Sequence, residues 1–267
     1  MLFRSQTRFG NTRVAVGGNP EGHPVVFIHG WSGNGMLWEI TGSLHSMAAR
    51  YHIHLVDVIG QPNNSSLVTP PVRSAGYGIW LNEVLDGLGL ESCSFVGMSF
   101  GGFQIVKLAQ VSPERIRHAI FMAPAGFTGL KIRPGLIGAA ARAVICPKQA
   151  NIEHFVRNNI VGNSDSFTPD QLEEIVRMFH ISFKYFRPGA QVPYVFSDDE
   201  LRAVKAPSLL FCGELDALFS PQKTIARARK HLPLLVDAHL LPGLGHALGS
   251  GVVVERLERF IRESTSQ

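Results

Sequence analysis

Cysteine is scarce in this chain, which contains three among 267 residues. Cys93, Cys146 and Cys212 are odd in number and far apart, so they do not form the paired framework of a small disulfide-rich protein. Cys93 and Cys212 fall in apolar runs that are typical of strands, where we expect buried free thiols. Free thiols favour a reducing compartment, and we therefore expect a cytoplasmic protein.

Long apolar runs and dense basic runs are also missing. No uninterrupted apolar stretch approaches the roughly 20 residues that cross a bilayer. Residues 1–10 contain arginines but lack the apolar centre of a signal peptide. The net charge of +4 comes from scattered Lys and Arg. We therefore expect neither a membrane span nor a nucleic-acid partner, and the sequence does not indicate the oligomeric state.

Apolar runs and amphipathic segments alternate along most of the chain. Continuous apolar runs such as 24–28 and 207–212 are typical of strands that are covered on both faces. Segments with helical spacing lie between them. This alternation predicts an α/β fold with a mostly parallel sheet and helices on both faces. Residues 126–197 contain amphipathic segments but no clear buried strand. We therefore predict that they form a helical insertion into a core domain of residues 1–125 and 198–267.

The segment Gly97-Met98-Ser99-Phe100-Gly101 carries the main chemical signal. It follows the strand-like run 93–96 and precedes a helix-like run that starts at Gly102. A G-x-S-x-G pattern between a strand and a helix is typical of a nucleophile elbow, in which the serine occupies a tight turn. Side chains in place of the two glycines would collide with the neighbouring strand and helix. We therefore predict that Ser99 is a nucleophile.

A serine nucleophile needs a base, and the base needs a carboxylate partner. In this kind of fold the carboxylate and the histidine follow the serine in that order. Asp216 lies in the loop after the strand-like run that ends at Gly213, and we prefer it to Glu214, which is closer to that strand. His246 lies in a Gly-rich loop before the last helix, and we prefer it as the base to the helix-terminal His231 and the strand residue His239.

Two backbone N–H groups are expected to bind the oxyanion that forms during acyl transfer. We assign one to Phe100, the residue after the nucleophile, and the other to Trp31, in the loop after the apolar run 24–28. Gly30, Trp31 and Phe100 are also the expected substrate-binding residues, and the Trp31 and Phe100 side chains are expected to line the pocket. His29 precedes Ser99 in the chain, so we expect it to support the loop.

Taken together, these motifs resemble a serine member of the α/β-hydrolase fold family. The matching residues are Phe27-Ile28-His29-Gly30-Trp31, Asp57 with Gly60, 97–102, Gly213-Glu214-Leu215-Asp216 and Gly245-His246. The segment Asp57-Val58-Ile59-Gly60-Gln61 departs from the usual Asp-x-Pro-Gly-x-Gly pattern and is similar to bacterial carboxylesterase-like hydrolases. The resemblance implies that the insertion at 126–197 is a cap over the active site. It also implies hydrolysis of a small-molecule ester without a cofactor.

Other interpretations fit some of the same residues. The same triad can act on a lactone, a thioester or a carbon–carbon bond, or catalyse acyl transfer or perhydrolysis. A slow hydrolase can also serve as a ligand-binding receptor, and a purely structural protein would leave three correctly ordered groups unexplained. His52 and His54 could form a metal pair, but no third ligand with suitable spacing accompanies them, and we expect no metal site.

Overall fold

The computed structural model describes residues 1–42, 44–162, 166–186, 192–248 and 250–265. Its strands, in chain order, are β1 (Leu2–Thr7), β2 (Gly10–Gly18), β3 (His23–Ile28), β4 (Tyr51–Val56), β5 (Cys93–Met98), β6 (Ile116–Met122), β7 (Ser208–Gly213) and β8 (Leu235–Leu241). Its α-helices are α1 (Met36–Ile40), α2 (Gly76–Leu88), α3 (Phe100–Ala109), α4 (Pro134–Ile145), α5 (Gln149–Phe155), α6 (Pro169–Tyr185), α7 (Asp198–Arg202), α8 (Pro221–His231) and α9 (Ser250–Thr265).

These strands form one sheet in the order β1-β2-β4-β3-β5-β6-β7-β8. β1 and β2 make an antiparallel hairpin, and β2 also pairs antiparallel with β4. All the other neighbouring strands pair in parallel. The predicted α/β architecture is therefore confirmed, and the carboxyl ends of the parallel strands meet at one edge of the sheet.

Apolar side chains cover both faces of the sheet. One buried cluster joins the sheet to Tyr77 and Trp80 of α2 and to Phe103 of α3. The other joins it to Trp38 of α1 and to Phe260 of α9. The apolar strand runs of the sequence follow from this double burial, since both faces of each central strand lie in the core.

Between β6 and β7 the described residues form helices joined by loops, and they add no strand to the sheet. A helical turn over Val156–Val161 continues directly from α5. Thr168 begins α6 with a capping box: its hydroxyl accepts the Gln171 N–H, and the Gln171 side chain accepts the Thr168 N–H. Apolar side chains of α4, α5 and α6 form a third buried cluster, which Leu37 and Ala247 join from the core. Within the range 126–197, residues 163–165 and 187–191 lie outside the described part.

Two smaller expectations have different outcomes. Cys93 and Cys212 are buried free thiols, as predicted, and Cys146 is free and exposed. Leu37, Ile40, Leu44 and Met47 stand at helical spacing in the sequence, which predicts a longer helix, but α1 ends at Ile40 and turns follow it. Among the described residues, no helix is long and apolar enough to cross a bilayer.

Candidate active site

Ser99 occupies the turn between β5 and α3. Its backbone φ is +51°, in a region that residues other than glycine rarely adopt. A Cβ atom at Gly97 would lie 2.6 Å from the backbone of Gly101, and one at Gly101 would lie 2.0 Å from the Ile28 carbonyl oxygen. The two glycines therefore allow β5, α3 and β3 to approach closely around the strained serine.

Asp216 and His246 meet beyond the carboxyl ends of β7 and β8. His246 Nδ1 lies 2.9 Å from Asp216 Oδ2, and both side chains are buried. The other carboxylate oxygen of Asp216 accepts backbone N–H groups of Leu218 at 2.7 Å and Phe219 at 3.0 Å. Asp216 is thus fixed from both sides, and it holds the imidazole through Nδ1.

Electrostatics keep Asp216 ionised. Burial alone raises the pKa of this carboxyl. The charge and hydrogen bond of His246, together with the hydrogen bonds from Phe219 and Leu218, outweigh burial and hold the pKa below its ordinary value. An ionised Asp216 can accept a hydrogen bond from His246 Nδ1 and so fix the ring orientation.

The rival residues lie elsewhere. Glu214 is exposed, and its carboxylate accepts the Gly243 N–H at 3.1 Å. His231 ends α8, where its Nε2 lies 3.3 Å from Asp198. His239 lies on β8, and its Nδ1 is 2.9 Å from an Arg256 nitrogen. Of the candidates weighed in the sequence, the structure brings Asp216 and His246 together.

The loop after β3 lies directly beside Ser99. A Cβ atom built at Gly30 would lie 3.4 Å from the Ser99 Cβ, in ordinary van der Waals contact, which makes Gly30 an immediate neighbour of the serine. Gly30, Trp31, Ser99 and His246 line one cavity. Phe100 is the first residue of α3, and N–H groups in the first turn of a helix have no partner within the helix.

The Phe100 side chain corrects one expectation. It is fully buried, with its ring 5.6 Å from that of Phe103 and 5.5 Å from that of Tyr77. It therefore packs in the core rather than lining the pocket. The reason is that α3 lies against the sheet, and its first residue faces α2.

His29 supports the loop, as the sequence suggested. Its Nδ1 lies 2.8 Å from the Gly30 carbonyl oxygen, and its Nε2 accepts the Val58 N–H at 2.9 Å. Burial lowers the pKa of this histidine, against the opposing charge of Asp57. The neutral ring, protonated on Nδ1, therefore links the loop after β3 to the loop after β4.

Gln61 is a residue whose role sequence reasoning missed. Its side chain is completely buried, and its Oε1 accepts the backbone N–H of Ser32 at 2.8 Å. Ser32 has a φ of +63°, and its hydroxyl lies 2.9 Å from that of Ser182 on α6. The sequence offered no signal for this role, because Gln61 stands at a variable position of the Asp-x-Pro-Gly-x-Gly pattern, and the departures from the pattern are Ile59 and Pro62.

The cavity above Ser99 has a volume of about 650 Å³. Side chains from the segment between β6 and β7 form most of its wall, and nearly all of them are apolar; they include Leu136, Ala140, Phe155, Ile175 and Phe179. Ser99, His246 and Lys131 are the hydroxyl-bearing or titratable ones among the described residues on its wall. The geometry suits an apolar ligand whose reactive carbonyl reaches Ser99.

No metal site accompanies this geometry among the described residues, where no group of three His, Cys, Asp or Glu side chains could hold an ion. The rings of His52 and His54 contact each other edge-on at 4.3 Å between centroids. His54 Nδ1 lies 3.2 Å from the His52 carbonyl oxygen.

Residues 23–140 match the model of the α/β-hydrolase fold family. The structure superposes on naproxen esterase (carboxylesterase NP) of Bacillus subtilis with a TM-score of 0.83 and 28% identity, covering 98% of this chain and 91% of the other. It superposes on carboxylesterase CesB (YbfK) of the same organism with a TM-score of 0.81 and 26% identity, with coverages of 98% and 91%.

A third similar protein is the pimeloyl-[acyl-carrier protein] methyl ester esterase of Aeromonas hydrophila. It is 27% identical over 264 residues, which cover 90% of this chain and 96% of that protein. All three similar proteins are named as esterases, and the similarity extends across the segment between β6 and β7.

Proposed function

We propose that this protein, which is an enzyme of the α/β-hydrolase fold similar to bacterial carboxylesterases, hydrolyses a small-molecule carboxylic ester through an acyl-enzyme on Ser99. The observation that carries this proposal is the pairing of His246 Nδ1 with Asp216 Oδ2 at 2.9 Å, at a cavity that Ser99 shares with His246. Because Asp216 occupies Nδ1, Nε2 is the nitrogen that serves as the base.

In the first half of the reaction, Ser99 Oγ attacks the ester carbonyl carbon while His246 Nε2 takes the serine proton. Asp216 stabilises the imidazolium that results. The backbone N–H groups of Trp31 and Phe100 bind the oxyanion. When the carbon–oxygen bond of the ester breaks, His246 returns its proton to the departing alcohol, and the acyl group remains on Ser99.

In the second half, water attacks the acyl carbon as His246 again takes a proton. Collapse of this intermediate releases the carboxylic acid and restores Ser99 with the proton from His246. Each step uses groups of this chain and the substrate, without a cofactor.

Residues 126–197 form the cap in this proposal and select the substrate. Their apolar side chains face Ser99 across the cavity of about 650 Å³. A wall of this kind favours an apolar acyl or alcohol chain, because burying apolar surface stabilises the bound state by about 25 cal/mol per Å².

The experiment that tests the nucleophile is covalent labelling. A fluorophosphonate probe should add one equivalent to the wild-type protein, and peptide mass spectrometry should place it on Ser99. Ser99→Ala should remain unlabelled while keeping its circular dichroism spectrum and melting temperature. A label on another residue, or equal labelling of Ser99→Ala, would contradict the proposal.

A further inference from the structure

We propose that Lys131 binds a carboxylate on the substrate, remote from the ester group, so that the preferred substrates are half-esters of dicarboxylic acids or esters that carry a carboxylate on the alcohol side. This inference rests on the proposed function, because it concerns the same cavity. Among the described residues that line the cavity, Lys131 is the one Lys or Arg, and none is Asp or Glu.

Lys131 is held in place at two points. Its backbone N–H donates to the Leu218 carbonyl oxygen at 2.7 Å, and its Nζ donates to the Asp216 carbonyl oxygen at 2.5 Å. Both acceptors belong to the loop that carries the Asp216 carboxylate. The ammonium group therefore has a fixed position beside the catalytic loop, rather than the freedom of a surface lysine.

The charge of Asp216 acts on Lys131, where it opposes the lowering of the pKa by burial, but the two side chains form no direct ion pair. Within the part of the chain that the structure describes, no carboxylate makes an ion pair with it. The carboxylate of Asp216 is engaged by His246, Leu218 and Phe219, and only its backbone carbonyl reaches Lys131. A lysine ammonium has three N–H donors, so two of them remain for a ligand.

The surroundings make this ammonium a strong site for an anion. Partial burial lowers the pKa of Lys131, against the opposing charge of Asp216. Leu130 and Ile132 flank it and also line the cavity. A substrate carboxylate would form a direct ion pair with Lys131 in this largely apolar wall, where attraction is less screened than in water.

The chain segment around Lys131 carries basic residues and no acidic ones. The chain from 115 to 152 contains no Asp or Glu, while Lys131, Arg133, Arg142 and Lys148 follow one another on the cap side. Arg133 acts on the pKa of Lys131 in the same direction as burial, which places a second positive charge near it. An anionic substrate would therefore be attracted toward the cavity as well as held within it.

The test compares anionic and neutral esters of equal chain length. On the acyl side, mono-p-nitrophenyl suberate is paired with p-nitrophenyl octanoate, and mono-p-nitrophenyl adipate with p-nitrophenyl hexanoate. On the alcohol side, 4-(butyryloxy)benzoate is paired with phenyl butyrate. The readout is the ratio of kcat/KM for the anionic ester to kcat/KM for its neutral partner.

In Lys131→Met the ratio should fall roughly tenfold in at least one pair, mainly through a higher KM of the anionic ester. Lys131→Arg should keep most of the wild-type ratio, because it keeps the charge. The wild-type ratio should also fall more steeply with added salt than the Lys131→Met ratio, which keeps only the weaker attraction of the other basic residues. Lys148→Met, at an exposed lysine of the same segment, is the matched control and should lower the ratio much less than Lys131→Met.

The outcomes separate this inference from the function on which it rests. If neutral esters are hydrolysed and the ratio is equal in wild type and Lys131→Met for every pair, Lys131 is only a loop anchor and the inference is overturned. If Lys131→Met lowers kcat/KM equally for the anionic and the neutral ester of each pair, the inference is overturned as well. If no ester is hydrolysed and the fluorophosphonate does not label Ser99, the proposed function itself fails.

Discussion

The side chain of Gln61 accepts a hydrogen bond from the backbone N–H of Ser32 at a distance of 2.8 Å. This contact joins the loop after β4 to the loop after β3, next to Trp31, whose N–H we assign to the oxyanion site. His29 makes a second link between the same two loops through Val58. The loop after β3 is therefore positioned by two buried side chains that are not among the residues lining the cavity.

Replacing Gln61 tests this positioning role. Gln61→Leu keeps the approximate size but leaves the Ser32 N–H buried without its acceptor, which costs about 1–3 kcal/mol of folding free energy. Because a misplaced oxyanion donor raises the transition-state energy, kcat should fall roughly tenfold or more with a smaller change in KM. Steady-state kinetics and urea unfolding measure the two effects.

Ser182→Ala is the comparison for that variant. It removes the hydroxyl contact to Ser32 from the cap side but leaves the backbone N–H of Ser32 bonded to Gln61. Its effect on kcat should be smaller than that of Gln61→Leu. A larger effect would assign the positioning of the loop to the cap instead.

The choice of Asp216 as the acid member is tested by isosteric amides. Asp216→Asn removes the charge that stabilises the His246 imidazolium and disturbs its tautomer, so kcat should drop by roughly 10⁴-fold. Glu214→Gln is the matched control, because Glu214 is exposed and its contact is the Gly243 N–H. Loss of activity in Glu214→Gln with a normal Asp216→Asn enzyme would reverse the assignment.

The close approach of β3 and α3 is tested at Gly101. In Gly101→Ala the new methyl group would lie 2.0 Å from the Ile28 carbonyl oxygen, and both elements belong to the packed core. We expect a loss of at least about 3 kcal/mol of unfolding free energy, beyond the usual cost of overpacking.

Gly135→Ala is the matched control for Gly101→Ala. No atom lies within 4 Å of a Cβ built at Gly135, which lies in the first turn of α4. There alanine should leave stability unchanged or raise it by about 0.5–1 kcal/mol, as expected for a glycine in a helix. Similar stabilities of the two variants would mean that β3 and α3 are less tightly packed than described.

Acid should destabilise the fold through His23. Its Nε2 lies 2.7 Å from Ser94 Oγ, and burial, aided by the charge of Arg117, lowers its pKa to about 4 from the ordinary 6.5. Between these two values the unfolded chain binds more protons than the folded chain, so the unfolding free energy falls as the pH falls. The loss begins near the ordinary pKa and is complete below about 4.

The measurement is urea unfolding of wild type and His23→Gln across this range of pH. The wild type should lose about 1–2 kcal/mol more than the variant, since each unit of pKa shift is at most 1.36 kcal/mol and His23 is only partly buried. Parallel pH profiles would show that His23 contributes nothing to acid destabilisation.

Local signals account for most of what the sequence predicted. The alternation of apolar runs and helical segments predicted the parallel sheet because each central strand is buried on both faces. Glycines on both sides of Ser99 predicted the elbow, and the strand ends before Asp216 and His246 predicted that these residues meet at one edge of the sheet. Each of these inferences needed only neighbouring residues and chain order.

Contacts between distant segments account for what the sequence did not predict. The direction of the Phe100 ring depends on how α3 packs against Tyr77 of α2. The roles of Gln61 and Lys131 depend on hydrogen bonds to Ser32 and to Asp216, which lie 29 and 85 positions away. Periodicity and motifs carry no information about such pairs.

The central claim is that Ser99 is the nucleophile of an esterase, and hydrolysis of p-nitrophenyl esters tests it most directly. The series runs from short to long acyl chains, with wild type beside Ser99→Ala. We expect the wild type to hydrolyse the esters and Ser99→Ala to lose roughly 10⁴-fold or more in kcat while remaining folded. Near-normal activity in folded Ser99→Ala would contradict the account.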